Sequence, residues 1–315
     1  MTEHQTWLPK RAVVMGATGG LGAAFVQHLS AMQSMNQVYC LSRSGITPTD
    51  PNTKGLIANY QRPETLEAAA KTVAAEGPID LVIIATGLLH ANDGFGPEKS
   101  LRDLDSDRLA RAYLINTIGP ALMAKHFLPL LKRDSKTVFA ALSARVGSIS
   151  DNRVGGWYGY RAAKAGLNQM LKTASIEHAR RWPETAIIGL HPGTVDTELS
   201  KPFQRNVADG KLFTPEFSSQ SMLNVIDTVT AKAGLNQILK TASIEHARRW
   251  PETAIIGLHP GTVDTELSKP FQRNVADGKL FTPGFSAQSM LNVIDTVIAK
   301  DTGKVFDWAG KEVPA

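Results

Sequence analysis

The chain has 315 residues, 43% hydrophobic and 20% charged, which gives apolar content for a large buried core and is too balanced for a disordered or fibrous chain. Its net charge of +5 carries no Lys/Arg block, which argues against a nucleic-acid arm and at most suits an anionic small ligand. Cys40 is the single cysteine, so an intrachain disulfide and a cysteine-rich metal site are excluded, and no metal is expected.

Residues 12–15 form a short apolar strand that runs into Gly16-Ala-Thr18-Gly-Gly20-Leu21-Gly22, and the periodic run Leu21–Met32 reads as a helix. Strand, glycine loop and helix in that order give a glycine motif its meaning. The glycines permit a tight turn and close backbone approach, and the helix N-terminus offers free N–H groups to a pyrophosphate. A second strand at 37–41 is followed by Ser42-Arg43. An enzyme selective for NAD usually places an acid there for the ribose 2′-hydroxyl. With no acid present, Arg43 can pair with a 2′-phosphate, so NADP is expected, with NAD still admissible. Residues 55–59 read as a third strand that ends at Asn59, where an adenine would lie, and 64–76 read as an amphipathic helix.

Asp80-Leu-Val-Ile-Ile-Ala85 is a continuous apolar run, as a strand buried on both faces should be, and it ends at Thr86-Gly87. Residues 101–131 form a long helical region with Asn116 inside an apolar stripe. The hydrophobic strand 137–142 opens into a small and polar loop from Ser143, which closes with Tyr160, and Lys164 lies four residues on in the predicted helix 161–181. That spacing places phenol and ammonium on one helix face, where a cation would favour the phenolate and lower the tyrosine pKa. A strand at 186–190, a turn His191-Pro192-Gly193-Thr-Val-Asp-Thr197, a polar loop 198–216 suited to a lid, a helix 217–229 and a last strand 304–308 complete the pass.

Residues 163–230 recur as 231–298 and differ only at Met170/Ile238, Glu216/Gly284, Ser219/Ala287 and Thr230/Ile298. One long unit repeated this closely reads as a tandem duplication and not as a solenoid. In the second copy Lys232 is preceded four residues earlier by Thr228, so that copy lacks the tyrosine and is expected to be catalytically idle. A helix running from the end of copy one into copy two is expected to bend, with Thr228–Thr230 and Gly234 as its weak points, and otherwise to project and favour domain-swapped association. Alternating strands and helices predict an α/β fold, a doubly wound, Rossmann-like parallel sheet in one domain spanning 1–315. Seven strands are expected, with an eighth from 254–258 beside 186–190. Gly16–Gly22, Arg43, Gly87, Ser143 and Pro192-Gly193 all fall at the carboxyl ends of strands, where such sheets bind ligands.

Together these residues resemble the short-chain dehydrogenase/reductase superfamily. Gly87-Leu-Leu-His90, Asn116-Thr-Ile-Gly-Pro120, Ser143–Ser148, Gly155–Arg161 and His191–Thr197 are similar to the C-factor-like reductases, relatives of the insect sniffer carbonyl reductases. The resemblance implies hydride transfer between a nicotinamide cofactor and a carbonyl or alcohol. Tyr160 would be the general acid, Lys164 would tune it and hold the ribose, Asn116 would anchor a relay water, and Pro192-Gly193 and Thr197 would flank the nicotinamide. The family's carbonyl-polarising serine aligns with Ala144, leaving Ser143 as the nearest candidate and Ser148 as the next. A soluble cytoplasmic protein is expected, with a small-molecule carbonyl or alcohol as partner, no nucleic acid and no membrane, assembled as a homodimer or homotetramer. A non-catalytic, dinucleotide-binding signalling protein and a reductase inactivated by its duplication are the competing expectations.

Overall fold

A computed structural model describes residues 7–47, 49–229, 257–260, 262–265, 268–269, 272, 275–276, 278–298 and 305–313. It divides into two compact units, Met1–Gly234 and Leu235–Ala315.

The first unit runs β1 (Arg11–Met15), α1 (Gly20–Ser30), β2 (Gln37–Ser42), β3 (Thr53–Ile57), α2 (Glu64–Ala75), β4 (Leu81–Ile84), α3 (Ser106–Tyr113) and α4 (Gly119–Phe127). It continues with β5 (Thr137–Leu142), α5 (Tyr158–Ala179), β6 (Thr185–Leu190), the short β7 (Thr194–Val195) and β8 (Leu212–Phe213), and α6 (Pro215–Thr228). Six strands form one parallel sheet in the order β3-β2-β1-β4-β5-β6. Successive strand side chains point to opposite faces. Val13 and Met15 therefore pack with Leu66, Phe127 and Leu167 from α2, α4 and α5 on one face. Ala12 and Val14 pack with Phe25, Leu29 and Ile226 from α1 and α6 on the other. Burial on both faces is what the unbroken apolar runs of β4 and β5 require. The strand order reverses between β1 and β4, which opens a crevice at their carboxyl ends.

The second unit contains β9 (Gly257–His259), β10 (Thr262–Val263), β11 (Leu280–Phe281), α7 (Pro283–Thr296), β12 (Val305–Asp307) and β13 (Glu312–Val313). β9 and β12 pair in parallel, and β13 joins β12 antiparallel. The expected sheet of seven strands plus one is thus corrected to six. Among the described residues, the strand predicted at 304–308 is β12, which pairs with β9 in a separate three-stranded sheet, and 257–258 of the predicted extra strand belong to β9 of that sheet; residues 254–256 and 304 lie outside the described residues. The physical reason is that Gly189-Leu190-His191 and Gly257-Leu258-His259 are the same sequence, so β12 meets equivalent edges. The copy nearer in the chain closes the shorter loop, which costs less entropy. α6 stops at Thr228, and Val229 is extended (φ −72°, ψ 131°), at the point marked as weak; Gly234 and Lys232 lie outside the described residues. No helix among the described residues is long and apolar enough to cross a membrane.

Candidate active site

The glycine loop forms the floor of the crevice. Gly16 takes φ +87°, its N–H donates to the Leu41 carbonyl (2.9 Å), and Gly19 N–H closes the turn onto the Gly16 carbonyl (3.0 Å). A Cβ on Gly22 would collide with the Gly16 carbonyl oxygen, so only glycine lets α1 leave the strand this tightly. Thr18 and Gly20 are exposed, Leu21 is half-buried, and Gly22 is buried. No side chain caps α1 and its first turn has no acid, an arrangement whose leading N–H groups suit an anion. A Cβ on Gly20 would come within 2.7 Å of Thr197 Cγ2, so the turn after β6 meets the glycine loop directly.

At the end of β2, Ser42 is buried and its Oγ has no hydrogen-bond partner, while Arg43 beside it is exposed. An orphaned hydroxyl next to an exposed guanidinium is a donor set that suits a phosphate. Asn59 sits at the end of β3, where its Oδ1 accepts from Gln61 N–H (2.9 Å) and its own N–H donates to Thr65 Oγ1 (2.8 Å), so its side-chain oxygen shapes the turn. The neighbouring Tyr60 is fully buried against Gly119, and its hydroxyl lies 2.9 Å from Thr86 Oγ1.

Asn116 lies in a π turn, Leu114–Ile118, between α3 and α4, and is completely buried. π turns widen a helix locally and are common at functional sites. Its Nδ2 donates to the Leu88 and Ala112 carbonyls (2.9 and 3.0 Å), and its Oδ1 accepts from Leu88 N–H (3.0 Å). Both amide protons are therefore committed, and the residue clamps the loop that follows β4. A Cβ on Gly87 would come within 3.8 Å of Asn116 Oδ1 and 3.7 Å of Leu199 Cδ2, which brings the 198–213 loop over the same spot.

Tyr160 and Lys164 lie on the first two turns of α5. Lys164 is 2% exposed, its Nζ donates to the Leu142 carbonyl (2.7 Å), and that nitrogen stands 5.8 Å from the centre of the Tyr160 ring. Burial pushes the lysine down to about 7 and the Tyr160 phenol up to about 12. The expected lowering of the phenol is thus reversed, because desolvation penalises the charged form of each group. A raised phenol stays protonated at neutral pH, the form that can give a proton away.

Ser143 follows β5, and its Oγ donates to Asn168 Oδ1 (2.6 Å), two turns beyond Tyr160 on α5. That proton is spoken for by the helix. Ser148 Oγ lies 3.3 Å from Ser150 Oγ and accepts from Asp151 N–H at 3.4 Å. Pro192 presents its carbonyl to Ser218 Oγ (2.7 Å), and Gly193 takes φ +75° where a Cβ would strike the Phe213 ring at 2.8 Å.

Four residues of the site, two of them inside the resembling motifs, have no role that those motifs assign. Trp157 adopts a left-handed conformation (φ 54°, ψ 40°), and its ring stands edge-on to Tyr160 (6.3 Å between centroids) and to Phe203 (5.0 Å). Phe203 in turn meets His90 (5.9 Å), whose Nε2 lies 2.8 Å from the Glu198 carbonyl oxygen. These rings wall the site beside Tyr160 and hold the 198–213 loop across it. Glu98, buried, accepts from Gly159 N–H (3.0 Å). The glycine pair 155–156 ahead of Trp157 was the readable hint of a left-handed turn.

The match to known proteins agrees with this arrangement. A family model described as short chain dehydrogenase matches residues 10–208. A 1-hydroxy-2-glutathionyl-2-methyl-3-butene dehydrogenase of Rhodococcus sp. (strain AD45) is 30% identical over 53% of this chain and 68% of its own. The C-signal of Myxococcus xanthus is 33% identical over 50% of this chain and 87% of its own. Among solved structures, an NADPH-bound carbonyl reductase from chicken fatty liver superposes with a TM-score of 0.60 at 20% identity, covering 99% of this chain and 97% of that one. The carbonyl reductase Sniffer of D. melanogaster gives 0.58 at 19% identity, covering 73% and 96%. Glycine loop, π-turn asparagine and the Tyr160–Lys164 helix occupy the matched span, and the chain belongs to the short-chain dehydrogenase family of oxidoreductases.

Proposed function

We propose that the protein is an NADPH-dependent carbonyl reductase that runs in reverse as an alcohol dehydrogenase. The observation that carries this reading is the pairing of Tyr160 with a buried Lys164 on α5 at the carboxyl edge of the sheet. Bound NADPH supplies the hydride. Gly16, Thr18, Gly20, Leu21 and Gly22 would hold its pyrophosphate, Ser42 and Arg43 its 2′-phosphate, and Asn59 the adenine side. Gly87, Lys164, Pro192, Gly193 and Thr197 would hold the nicotinamide half.

The chain's own residues supply the proton and its replacement. Tyr160 gives its phenolic proton to the carbonyl oxygen as hydride reaches the carbon, which leaves an alcohol and a phenolate. Protonated Lys164 stabilises that phenolate across the ring. Asn116, with both amide protons used, can hold a relay water only through its oxygen or its peptide group. The wall of Trp157, Phe203 and His90 excludes water from the reacting carbonyl. The test is NADPH consumption across a panel of ketones, aldehydes and a small diketone, with Tyr160→Phe as control. Loss of turnover with retained NADPH binding is expected. Substantial activity in a folded Tyr160→Phe protein overturns the assignment.

A second reading, a dinucleotide-binding protein without turnover, draws on one observation. Ala144 stands where the family polarises the carbonyl, and Ser143 spends its proton on Asn168. NADPH binding by the wild-type chain without consumption on any carbonyl would select it.

A further inference from the structure

α5 begins at Tyr158, so Tyr158, Gly159 and Tyr160 make up its first turn. The leading N–H groups of a helix need acceptors from outside the helix, normally from a Ser, Thr, Asp or Asn at the N-cap. Here the N-cap is Trp157, which has no side-chain acceptor to offer. The acceptor comes instead from a residue 61 positions earlier in the chain: Glu98 Oε2 takes the Gly159 N–H at 3.0 Å, and the Glu98 backbone carbonyl takes the Trp157 N–H at 2.5 Å.

Glu98 is 6% exposed, and a carboxylate is left in a buried place only where charge-assisted hydrogen bonds and a helix dipole compensate it. The helix opposite is shaped to receive it. A Cβ on Gly159 would stand 2.8 Å from Glu98 Oε1, so glycine between the two tyrosines is what lets the carboxylate reach the backbone. Gly155, Gly156 and Trp157 run in succession through positive φ (68°, 65° and 54°), a conformation that strains the tryptophan. The turn is held from both sides. Glu98 grips Trp157 from one, and Arg161 donates to the Gly156 and Gly155 carbonyls (3.0 and 3.4 Å) from the other. The chain directly after Glu98 is itself pinned, because Asp103 Oδ2 accepts from Lys99 and Ser100 N–H at 3.0 and 2.9 Å.

The geometry points to Glu98 as a positioning residue that caps α5 in trans and thereby sets the Tyr160 hydroxyl in the site. The inference rests on the proposed carbonyl reduction for its kinetic arm. Tyr160 lies in the turn that Glu98 holds, whereas Lys164 lies one turn deeper and is anchored independently on Leu142. Loss of the cap should loosen the tyrosine without disturbing the lysine or the glycine loop.

The experiment compares Glu98→Ala, Glu98→Gln, Gly159→Ala and the Glu98→Ala/Gly159→Ala double variant in the full-length chain. It measures kcat and KM for a small diketone, NADPH affinity by fluorescence, and hydrogen exchange of the 157–163 segment. Expected are kcat losses of about 10²-fold in Glu98→Ala and Gly159→Ala, since misplacement of about 1 Å costs that much. The double variant should be no worse than the poorer single one, because both remove the same contact. Glu98→Gln keeps an acceptor oxygen and should restore kcat to within a few fold. NADPH affinity should stay within twofold, and exchange at 157–163 should quicken in both alanine variants. Gly159→Ala is a useful arm because alanine is the better helix former, so a helix weakened only in propensity would move the other way. Multiplying single losses, a Gln variant as poor as Ala, NADPH affinity lost together with kcat, or unchanged exchange at 157–163 would each overturn the positioning role. Wild-type inactivity on every carbonyl would instead overturn the reductase reading, and the exchange measurement would still decide the cap.

Discussion

Lys164 Nζ donates to the Leu142 carbonyl oxygen at 2.7 Å, which ties the second turn of α5 to the carboxyl end of β5. The ammonium is thereby held below the Tyr160 ring by backbone and needs no acidic side chain. A carboxylate partner would have locked the charge on. The carbonyl leaves it free to titrate, and burial brings it down to about 7.

That lowered value has a consequence for stability. The unfolded chain holds the Lys164 proton up to about 10.5, the folded chain only to about 7, so between those values the unfolded state binds more protons. Stability therefore rises with pH across that window, and the desolvation penalty is largest at and below pH 7. Lys164→Met should flatten that rise in urea melts from pH 6.5 to 10 while abolishing turnover. A slope equal to that of the wild type would show that the lysine is not buried as a near-neutral group.

Turnover in the reduction direction should fall as pH rises through about 7, because neutral Lys164 no longer stabilises the phenolate that Tyr160 leaves behind. A pH profile of kcat at saturating NADPH checks this. A flat profile from pH 6 to 9 would mean that the bound cofactor holds the lysine charged throughout.

Arg43→Ala should weaken NADPH binding by roughly tenfold or more and leave NADH nearly unchanged, as removal of a charge-assisted phosphate contact does. Titration of the two cofactors against the variant decides it. Equal losses would assign Arg43 a structural part.

The committed proton of Ser143 and the methyl of Ala144 make opposite predictions for two substitutions. Ser143→Ala should lower kcat by less than about threefold, because no donor to the substrate is lost. Ala144→Ser should raise kcat by roughly tenfold, since one well-placed donor to a developing oxyanion is worth that much or more. A large loss in Ser143→Ala would return the serine to the chemistry.

Deleting 231–298 keeps Tyr160 with Lys164 and removes β9, whereas deleting 163–230 removes β6 and rebuilds a Tyr-x-x-x-Lys from Tyr160 and Lys232, so each leaves a single copy of the strand for β12 to meet. Both products should fold with residues 305–307 beside the copy that remains, reduce the same carbonyls, and melt at or above the full-length temperature. Circular dichroism melts and NADPH consumption test this. Activity confined to the full-length chain would show that the second copy takes part in the site.

What the sequence determined by itself was whatever bonds over short distances settle. The glycine loop after β1, the two-sided burial of β4 and β5, and the i,i+4 pairing of Tyr160 with Lys164 were all legible, because periodicity and local spacing decide them. The two copies make the point directly. Thr214 and Thr282 cap their helices through Phe217 and Phe285 N–H, and Ser218 and Ser286 donate to Pro192 and Pro260 at 2.7 Å in both. Identical sequence gives identical local structure there. Tertiary structure decided the rest. β6 lies beside β5 while the same residues in β9 lie beside β12, because a strand edge takes whichever partner the chain brings within reach. It also turned Ser143 towards Asn168 and delivered Glu98 to Gly159. Those contacts join segments dozens of residues apart, and no periodicity within either segment encodes the other.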